Sequence, residues 1–163
     1  MNRTYYSWFE SPVGVLLLAG SEAGLKLVRF SAGTRTRSVD ADWHQDSAVF
    51  TDVVDQLKSY FAGERKAFDL PLVLEGTTFQ KRVWTALQNI PYGETVSYKV
   101  LAERVGSPKA VRAVGAANGA NPIPIIIPCH RVIGNDGSLT GFGGGLPLKK
   151  RLLELESRQM TLL

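Results

Sequence analysis

The first thirty residues alternate apolar and polar positions between two turn signals. In RTYYSWFESPVGVLLLAGSEAGLKLVRF, the segments SPVG and SEAG separate three runs with the two-residue period of half-buried strands. This pattern predicts an antiparallel meander of three strands. Residues 31–46 are polar and have no period, so we predict a loop there.

Helical spacing replaces the alternation after residue 46. The apolar positions of SAVFTDVVDQLKSYFAGE predict a helix that ends at Gly63, with these residues inward: Phe50, Val53, Val54, Leu57 and Phe61. In KAFDLPLVL, alternate apolar residues predict a strand. The N-terminal half therefore reads as a small α/β unit. It has no cluster of titratable residues, so we expect it to serve as a scaffold.

The C-terminal half is predicted to be mostly helical. Thr77 and Gln80 have the spacing of a capping box, which predicts the start of a helix that PYGET ends. Ser97 is predicted to cap a short helix ending at Gly106, and Ser107 with Pro108 to begin another. Two short helices joined by a tight turn indicate a helix-turn-helix. A last helix is predicted to begin near Pro147.

Charge is distributed unevenly along the 163 residues. Residues 1–75 carry 8 Lys and Arg against 10 Asp and Glu, whereas residues 76–163 carry 11 against 5. A basic C-terminal half favours a polyanionic partner. Ordinary surface charge, kept for solubility, is the alternative.

Cysteine usage limits the class of protein. The single cysteine excludes an internal disulfide and a multi-cysteine zinc site. The N-terminus has no signal-peptide pattern, and the apolar run VGVLLLAG is too short to span a bilayer. We expect a soluble protein of the reducing cytoplasm.

That cysteine, Cys129, directly precedes His130 in PIPIIIPCHRVIG. An imidazole can take the proton of a thiol, but the side chains of adjacent residues rarely face each other, so a water between them is expected. Glu156 shares the inward face of the last helix with Leu152 and Leu148, and could orient His130.

Structural roles are the alternatives for these three residues. Cys129 could be an inert core cysteine, His130 a satisfied core histidine, and Glu156 a partner of Arg131 instead. Glu154 is the weaker candidate, because it is rotated away and could pair with Arg158 on the surface.

The motif IPCHRVIG resembles the active-site motif of the O6-alkylguanine-DNA alkyltransferases, the methylated-DNA–protein-cysteine methyltransferase family. The similarity runs from FQKRVW through YGETVSYKVLAERVGSPKAVRAVGAANGANP to GFGGGLPLKKRLLELE, about residues 76–156. Residues 1–75 are similar only in outline, through SPVGVLLLA and LKSYFAGE. The resemblance implies an α/β fold in two domains. Residues 1–75 would form a ribonuclease H-like domain with an antiparallel sheet, and residues 76–163 a helical, winged-helix-like domain containing the helix-turn-helix.

The family's reaction implies a role for each residue of the motif. Cys129 would accept the alkyl group from O6 of a damaged guanine in a single turnover, and His130 would be the base, through a water. Glu156 would orient His130. Asn121 would be a hinge that bonds local backbone, although a simple Asn-Pro turn is the alternative. No cofactor and no metal is implied.

The same resemblance implies a DNA-binding surface on the helix-turn-helix. The damaged base must leave the duplex, and Arg112 would fill the gap from the minor groove. Small residues around it would allow close approach, and the residues expected to contact DNA are Ser97, Lys109, Ala110, Arg112, Ala113 and Ala117. A solvated arginine and a helix packed closely on its neighbour are the alternatives.

The base pocket is expected to combine an aromatic wall, glycine-rich backbone and a rim. Its expected residues are Tyr98, Val132, Phe142, Gly143 and Lys149. Phe142 stands where many relatives have tyrosine, so a hydroxyl contact is lost. Lys149 could instead be a surface lysine.

Three other functions are alternatives: a non-enzymatic binder of alkylated DNA, a helix-turn-helix regulator, and a Cys-His hydrolase. The retained Cys129 counts against the non-enzymatic binder. The absence of a Cys-rich metal domain counts against the regulator, and the adjacency of Cys129 and His130 counts against the hydrolase. We expect a protein that acts as a monomer on double-stranded DNA and not at a membrane. The sequence leaves open whether it assembles cooperatively on DNA and whether O4-alkylthymine is a second substrate.

Overall fold

A computed structural model describes residues 3–30, 39–140, 142 and 145–161. The strands are β1 (Tyr5–Ser11), β2 (Gly14–Ser21), β3 (Gly24–Phe30), β4 (His44–Gln45), β5 (Val96–Ser97) and β6 (Val132–Ile133). The helices are α1 (Thr51–Phe61), α2 (Thr78–Leu87), α3 (Tyr98–Arg104), α4 (Val111–Gly119) and α5 (Leu146–Thr161). The mixed α/β class is therefore confirmed.

The predicted meander is confirmed: β1 pairs antiparallel with β2, and β2 with β3. The sheet order is β3-β2-β1-β4. The prediction of a loop over residues 31–46 is wrong at its end, because β4 pairs in parallel with β1. Main-chain hydrogen bonds hold this short strand independently of its side chains, so the pattern of apolar residues in the sequence could not predict it. Residues 31–38 lie outside the described part of the chain.

Helix α1 covers one face of this sheet. A short 3-10 turn, Ser47–Phe50, precedes it, and the Asp46 side chain caps that turn by accepting from the amide of Ala48. Leu57 and Tyr60 of α1 are completely buried. The predicted helix is thus confirmed, and it ends near Gly63, whose φ is 78°.

The strand predicted in residues 68–74 is not formed. This segment is extended but makes a single parallel bridge, between Leu25 and Leu72. The Leu25 amide donates to the Pro71 carbonyl (2.9 Å), and the Val73 amide donates to the Leu25 carbonyl (2.8 Å). Pro71 has no N–H to continue a ladder.

Two of the C-terminal helices, α2 and α3, begin at the capping residues predicted from the sequence. Thr77 and Gln80 make the complete capping box at the start of α2. Ser97 caps α3, as predicted. Helix α4 begins later than predicted, at Val111, because residues 107–110 close a turn with the Ala110 amide donating to the Ser107 carbonyl (2.9 Å).

One core joins the two halves of the chain. Strand β3 reaches the segment before Cys129 through the Val28 amide, which donates to the Pro122 carbonyl (2.9 Å). The segment from residue 122 to 128 has the apolar composition of a buried strand. It is almost entirely buried, but it forms turns instead, with Ile125 at a φ of 74°. Among the described helices, none combines the length and the apolar character needed to cross a membrane.

Candidate active site

Cys129 opens a 3-10 turn, Cys129–Arg131, directly after the turns of the Ile/Pro segment. The residue is buried, with 6% of its surface exposed. Burial raises the pKa of the thiol to about 11, while the Asn121 side chain and the charge of Lys149 act in the opposite direction. Cys129 is therefore a thiol at neutral pH and needs a base to react.

Asn121 fixes the backbone that leads to Cys129. Its Nδ2 donates to the Ile127 carbonyl (2.8 Å), and its Oδ1 accepts from the Ile123 amide (3.0 Å). The Asn121 side chain thus connects the two ends of the segment from Ile123 to Ile127. The expectation that Asn121 bonds local backbone is confirmed, and a simple Asn-Pro turn does not account for both bonds.

His130 is completely buried, and its Nε2 lies 2.7 Å from Oε2 of Glu156. An ionised carboxylate can only accept, so Nε2 carries the hydrogen and Nδ1 has a free lone pair. Within the described residues Nδ1 has no hydrogen-bond partner. Burial lowers the pKa of His130, which Glu156 opposes, so the ring is neutral at pH 7. A neutral ring with an open Nδ1 is suited to accept a proton.

Glu156 is bound by more than the histidine. Arg131 donates from Nε to Oε1 (2.8 Å) and from Nη2 to Oε2 (3.0 Å), and its Nη1 donates to the Ile90 carbonyl (2.6 Å). Burial alone would raise the pKa of Glu156, but His130 and Arg131 together lower it to about 2. The sequence leaves two partners open for Glu156, His130 and Arg131, and both pairings occur.

Tyr60 completes this buried cluster from the N-terminal half. Its hydroxyl donates to Oε2 of Glu156 at 2.6 Å. The expectation that residues 1–75 form only a scaffold missed this contact. One signal was present: Tyr60 follows Leu57 by three positions on the inward face of α1, and a buried tyrosine hydroxyl needs a partner. The sequence did not say which partner.

Lys149 is completely buried, so the alternative of a surface lysine is wrong. Its Nζ donates to the carbonyls of Val132 (2.6 Å) and Thr140 (2.7 Å). These two bonds tie α5 to β6 and to the loop that follows it. Burial lowers the pKa of Lys149, and the nearby Cys129 acts in the opposite direction.

Two aromatic side chains, Tyr98 and Phe142, contact or belong to the same loop. Tyr98, the first residue of α3, donates its hydroxyl to the Thr140 carbonyl (3.1 Å), and its ring lies 6.0 Å from Nζ of Lys149. Phe142 packs on Phe30 of β3 with ring centroids 5.6 Å apart. Four of the five residues expected in the base pocket thus lie in the described part of the chain, and one of these four, Val132, is completely buried. Gly143 lies outside the described residues.

The helix-turn-helix carries its predicted exposed face. Arg112, Lys109 and Ala113 are exposed, Ala110 is half-buried, and Ser97 is half-buried as the cap of α3. Ala117 differs. It is only 3% exposed, so its side chain faces the core, against the expectation of a DNA contact. Its carbonyl accepts from Nε1 of Trp84.

Comparison with known proteins identifies matches over nearly all of this fold. Residues 4–74 match the ribonuclease-like domain of 6-O-methylguanine DNA methyltransferase, and residues 78–158 match the DNA binding domain of the same family.

Relatives at high identity carry one name. The methylated-DNA–protein-cysteine methyltransferase of Methanosarcina acetivorans is 55% identical over 93% of this chain and 97% of its own length. That of Mycobacterium tuberculosis is 53% identical over 93% of this chain and 92% of its own.

Solved structures agree. The Mycobacterium tuberculosis protein OGT in complex with DNA superposes with a TM-score of 0.89 at 52% identity, covering 95% of this chain and 94% of that chain. The O6-methylguanine methyltransferase of the same organism has a TM-score of 0.89 at 50% identity, covering 98% of both chains. The chain belongs to the 6-O-methylguanine DNA methyltransferase family.

Proposed function

We propose that this protein repairs DNA by moving the alkyl group of O6-alkylguanine to its own Cys129, once per molecule. The observation that carries the proposal is the buried set of Cys129, His130 and Glu156 in a chain of this family, with a neutral imidazole beside a thiol. It is a methylated-DNA–protein-cysteine S-methyltransferase that acts stoichiometrically, on double-stranded DNA.

The transfer begins with removal of the thiol proton. A bridging water relays it from Cys129 to Nδ1 of His130, whose Nε2 is already committed to Glu156. The ionised Glu156 stabilises the imidazolium that forms. Asn121 and Lys149 favour the thiolate, since both lower the pKa of Cys129.

The thiolate then attacks the alkyl carbon. A sulfur–carbon bond forms while the carbon–O6 bond breaks, and its electron pair stays on the guanine oxygen. The released guanine takes up one proton on its ring, which balances the proton lost by the thiol. The thioether of Cys129 has no leaving group that water could displace readily, so the protein does not turn over.

The exposed face of the helix-turn-helix binds the duplex from the minor groove. Arg112 enters the base stack in place of the flipped guanine, because it is a long exposed side chain at the start of α4. Lys109 contacts phosphate, and the small Ala110 and Ala113 permit close approach of the helix. Ser97, which caps α3, contacts the DNA backbone beside them.

The flipped base is received by the loop between β6 and α5. Tyr98, Val132 and Phe142 form its walls, and Lys149 holds the loop closed through the Thr140 carbonyl. Gly143 belongs to this pocket by its position in the sequence. The absence of a tyrosine hydroxyl at Phe142 leaves backbone groups to recognise the base.

The chain divides into domains of residues 1–75 and 76–163, a boundary supported by the two matched family domains on either side of it. We place the protein in the cytoplasm, where reducing conditions keep the thiol of Cys129 free. We propose that it acts as a monomer.

Counting repaired bases tests the proposal. Duplex DNA containing O6-methylguanine is incubated with increasing amounts of protein, and restored guanine is measured by digestion and chromatography. We expect restored guanine to reach a plateau at one equivalent per protein. A binder that does no chemistry would leave the DNA unchanged, and a hydrolase would pass the plateau; either result would contradict the proposal.

A further inference from the structure

Tyr60 is a hydroxyl-bearing side chain that the proposed reaction does not use. It lies in α1 of the N-terminal half, 96 positions before its hydrogen-bond partner Glu156. Its side chain has no exposed surface. At 2.6 Å, its hydroxyl makes a short contact with Oε2 of Glu156, in the range of charge-assisted O–H···O bonds.

The direction of this hydrogen bond follows from charge. Glu156 is ionised, so it accepts and Tyr60 donates. Burial, followed by the neighbouring Glu156, raises the pKa of Tyr60 well above its usual value, so the hydroxyl keeps its hydrogen at any working pH. Tyr60 is therefore a permanent donor to the carboxylate.

We propose that Tyr60 is a positioning residue for alkyl transfer: by donating to Oε2 of Glu156, it holds the carboxylate in the position that orients His130. The N-terminal half thereby contributes one side chain to the proton relay. This inference rests on the proposed function, since the relay matters only if Cys129 reacts.

Oε2 of Glu156 is shared by three donors, which gives Tyr60 a specific effect. His130 donates at 2.7 Å, Arg131 at 3.0 Å and Tyr60 at 2.6 Å. Removing the Tyr60 hydroxyl concentrates negative charge on the oxygen that faces His130. That change favours the imidazolium and raises the pKa of His130.

The other ionisable groups near His130 and Glu156 are unchanged by this substitution. Arg131 and Lys149 act against a charged His130, Cys129 precedes it in the chain, and Tyr92 lies within range of Glu156. The change in the pKa of His130 in Tyr60→Phe is therefore attributable to the loss of the Tyr60 hydroxyl.

Tyr92 offers a matched control for the experiment. It is also buried, at 8% exposure, and its ring lies 6.1 Å from that of Tyr60. Within the described residues its hydroxyl has no hydrogen-bond partner. Tyr92→Phe thus removes the same atom from the same region without removing a hydrogen bond from Glu156.

The test compares Tyr60→Phe, Tyr92→Phe and the unaltered protein in the rate of transfer from free O6-benzylguanine, between about pH 5 and pH 8. We expect Tyr60→Phe to move the acid limb of the rate profile to higher pH, by on the order of half a unit to one unit. We also expect it to slow transfer several-fold at neutral pH, because the carboxylate loses the donor that holds it in the position that orients His130. Tyr92→Phe should follow the unaltered protein.

A second measurement reads the relay itself. Nitrogen NMR of the His130 ring should report the hydrogen on Nε2 in the unaltered protein and in Tyr92→Phe, and a weakened preference in Tyr60→Phe. Coincident profiles and spectra for the two variants would overturn the inference while leaving the proposed function intact. Failure of the unaltered protein to accept any alkyl group would instead overturn the proposed function. Thermal unfolding verifies that each variant, which keeps its buried ring, is folded during the assay.

Discussion

Nε2 of His130 lies 2.7 Å from Oε2 of Glu156, and both side chains are almost completely removed from water. A buried carboxylate beside a neutral ring fixes which nitrogen carries the hydrogen. The opposite nitrogen, Nδ1, is left as an acceptor. His130 directly follows the only cysteine of the chain, Cys129. This relationship makes both stability and reactivity depend on the same four polar groups: Tyr60, His130, Arg131 and Glu156.

Acidification is expected to destabilise the protein in two stages. The folded state lowers the pKa of His130 from 6.5, so its contribution is complete above pH 6.5 and is lost as the unfolded chain takes up the proton below that pH. The folded state lowers the pKa of Glu156 from 4.5 to about 2, so its contribution is lost between those values. Urea unfolding at a series of pH values measures both stages.

Substituting the buried histidine should remove the first stage. His130→Gln is expected to flatten the decline in unfolding free energy just below pH 6.5, whereas His44→Gln, at an exposed position, should retain it. Equal slopes for the two variants would be inconsistent with a buried neutral His130.

Removing the charge of Glu156 should be costly. Glu156→Gln leaves Arg131 buried with no ionised partner, which destabilises folded proteins by about 3–5 kcal/mol. Glu154→Gln is the control, because Glu154 is exposed and lies 3.9 Å from Lys150, a pair worth about 0–1 kcal/mol. Chemical unfolding of both variants measures the difference, and similar losses would refute the buried cluster.

Lys149 is expected to support the base pocket. Lys149→Met removes the ammonium donor from the Val132 carbonyl and leaves the Thr140 carbonyl with Tyr98 as its side-chain donor. We therefore expect the loop to loosen and transfer from free O6-benzylguanine to slow at least tenfold, about 1.4 kcal/mol or more. Lys150→Met, at the exposed neighbouring position, should react at the normal rate. Rate constants from single-turnover assays compare them, and matching rates would remove Lys149 from the site.

Arg112 is expected to matter only when a base must leave the stack. Arg112→Ala should slow repair of duplex DNA strongly, because unstacking costs a few kcal/mol, and should barely change reaction with free O6-benzylguanine. Arg104→Ala is the control, at an exposed arginine at the end of α3. Equal losses on both substrates would contradict the role of Arg112 in base flipping.

Local patterns in the sequence predicted the parts of this fold that local forces determine. The capping box of Thr77 and Gln80, the three-strand meander and the inward position of Glu156 each follow from a few neighbouring residues. Cys129 and His130 stood out because they are adjacent and rare in this chain.

Tertiary contacts decided the rest. The partner of Tyr60 is 96 positions away, so no local pattern could assign it. Lys149 resembles a surface lysine in sequence, yet two backbone carbonyls compensate its burial. The Ile/Pro segment has the composition of a buried strand, but Asn121 bonds it into turns.

The most direct test of the central claim follows the methyl group to the protein. Duplex DNA carrying isotope-labelled O6-methylguanine is mixed with excess protein, and the digested peptides are analysed by mass spectrometry. The label should be found on Cys129 alone, and Cys129→Ser protein should acquire none. Label on another residue, or label that persists in Cys129→Ser, would contradict the account.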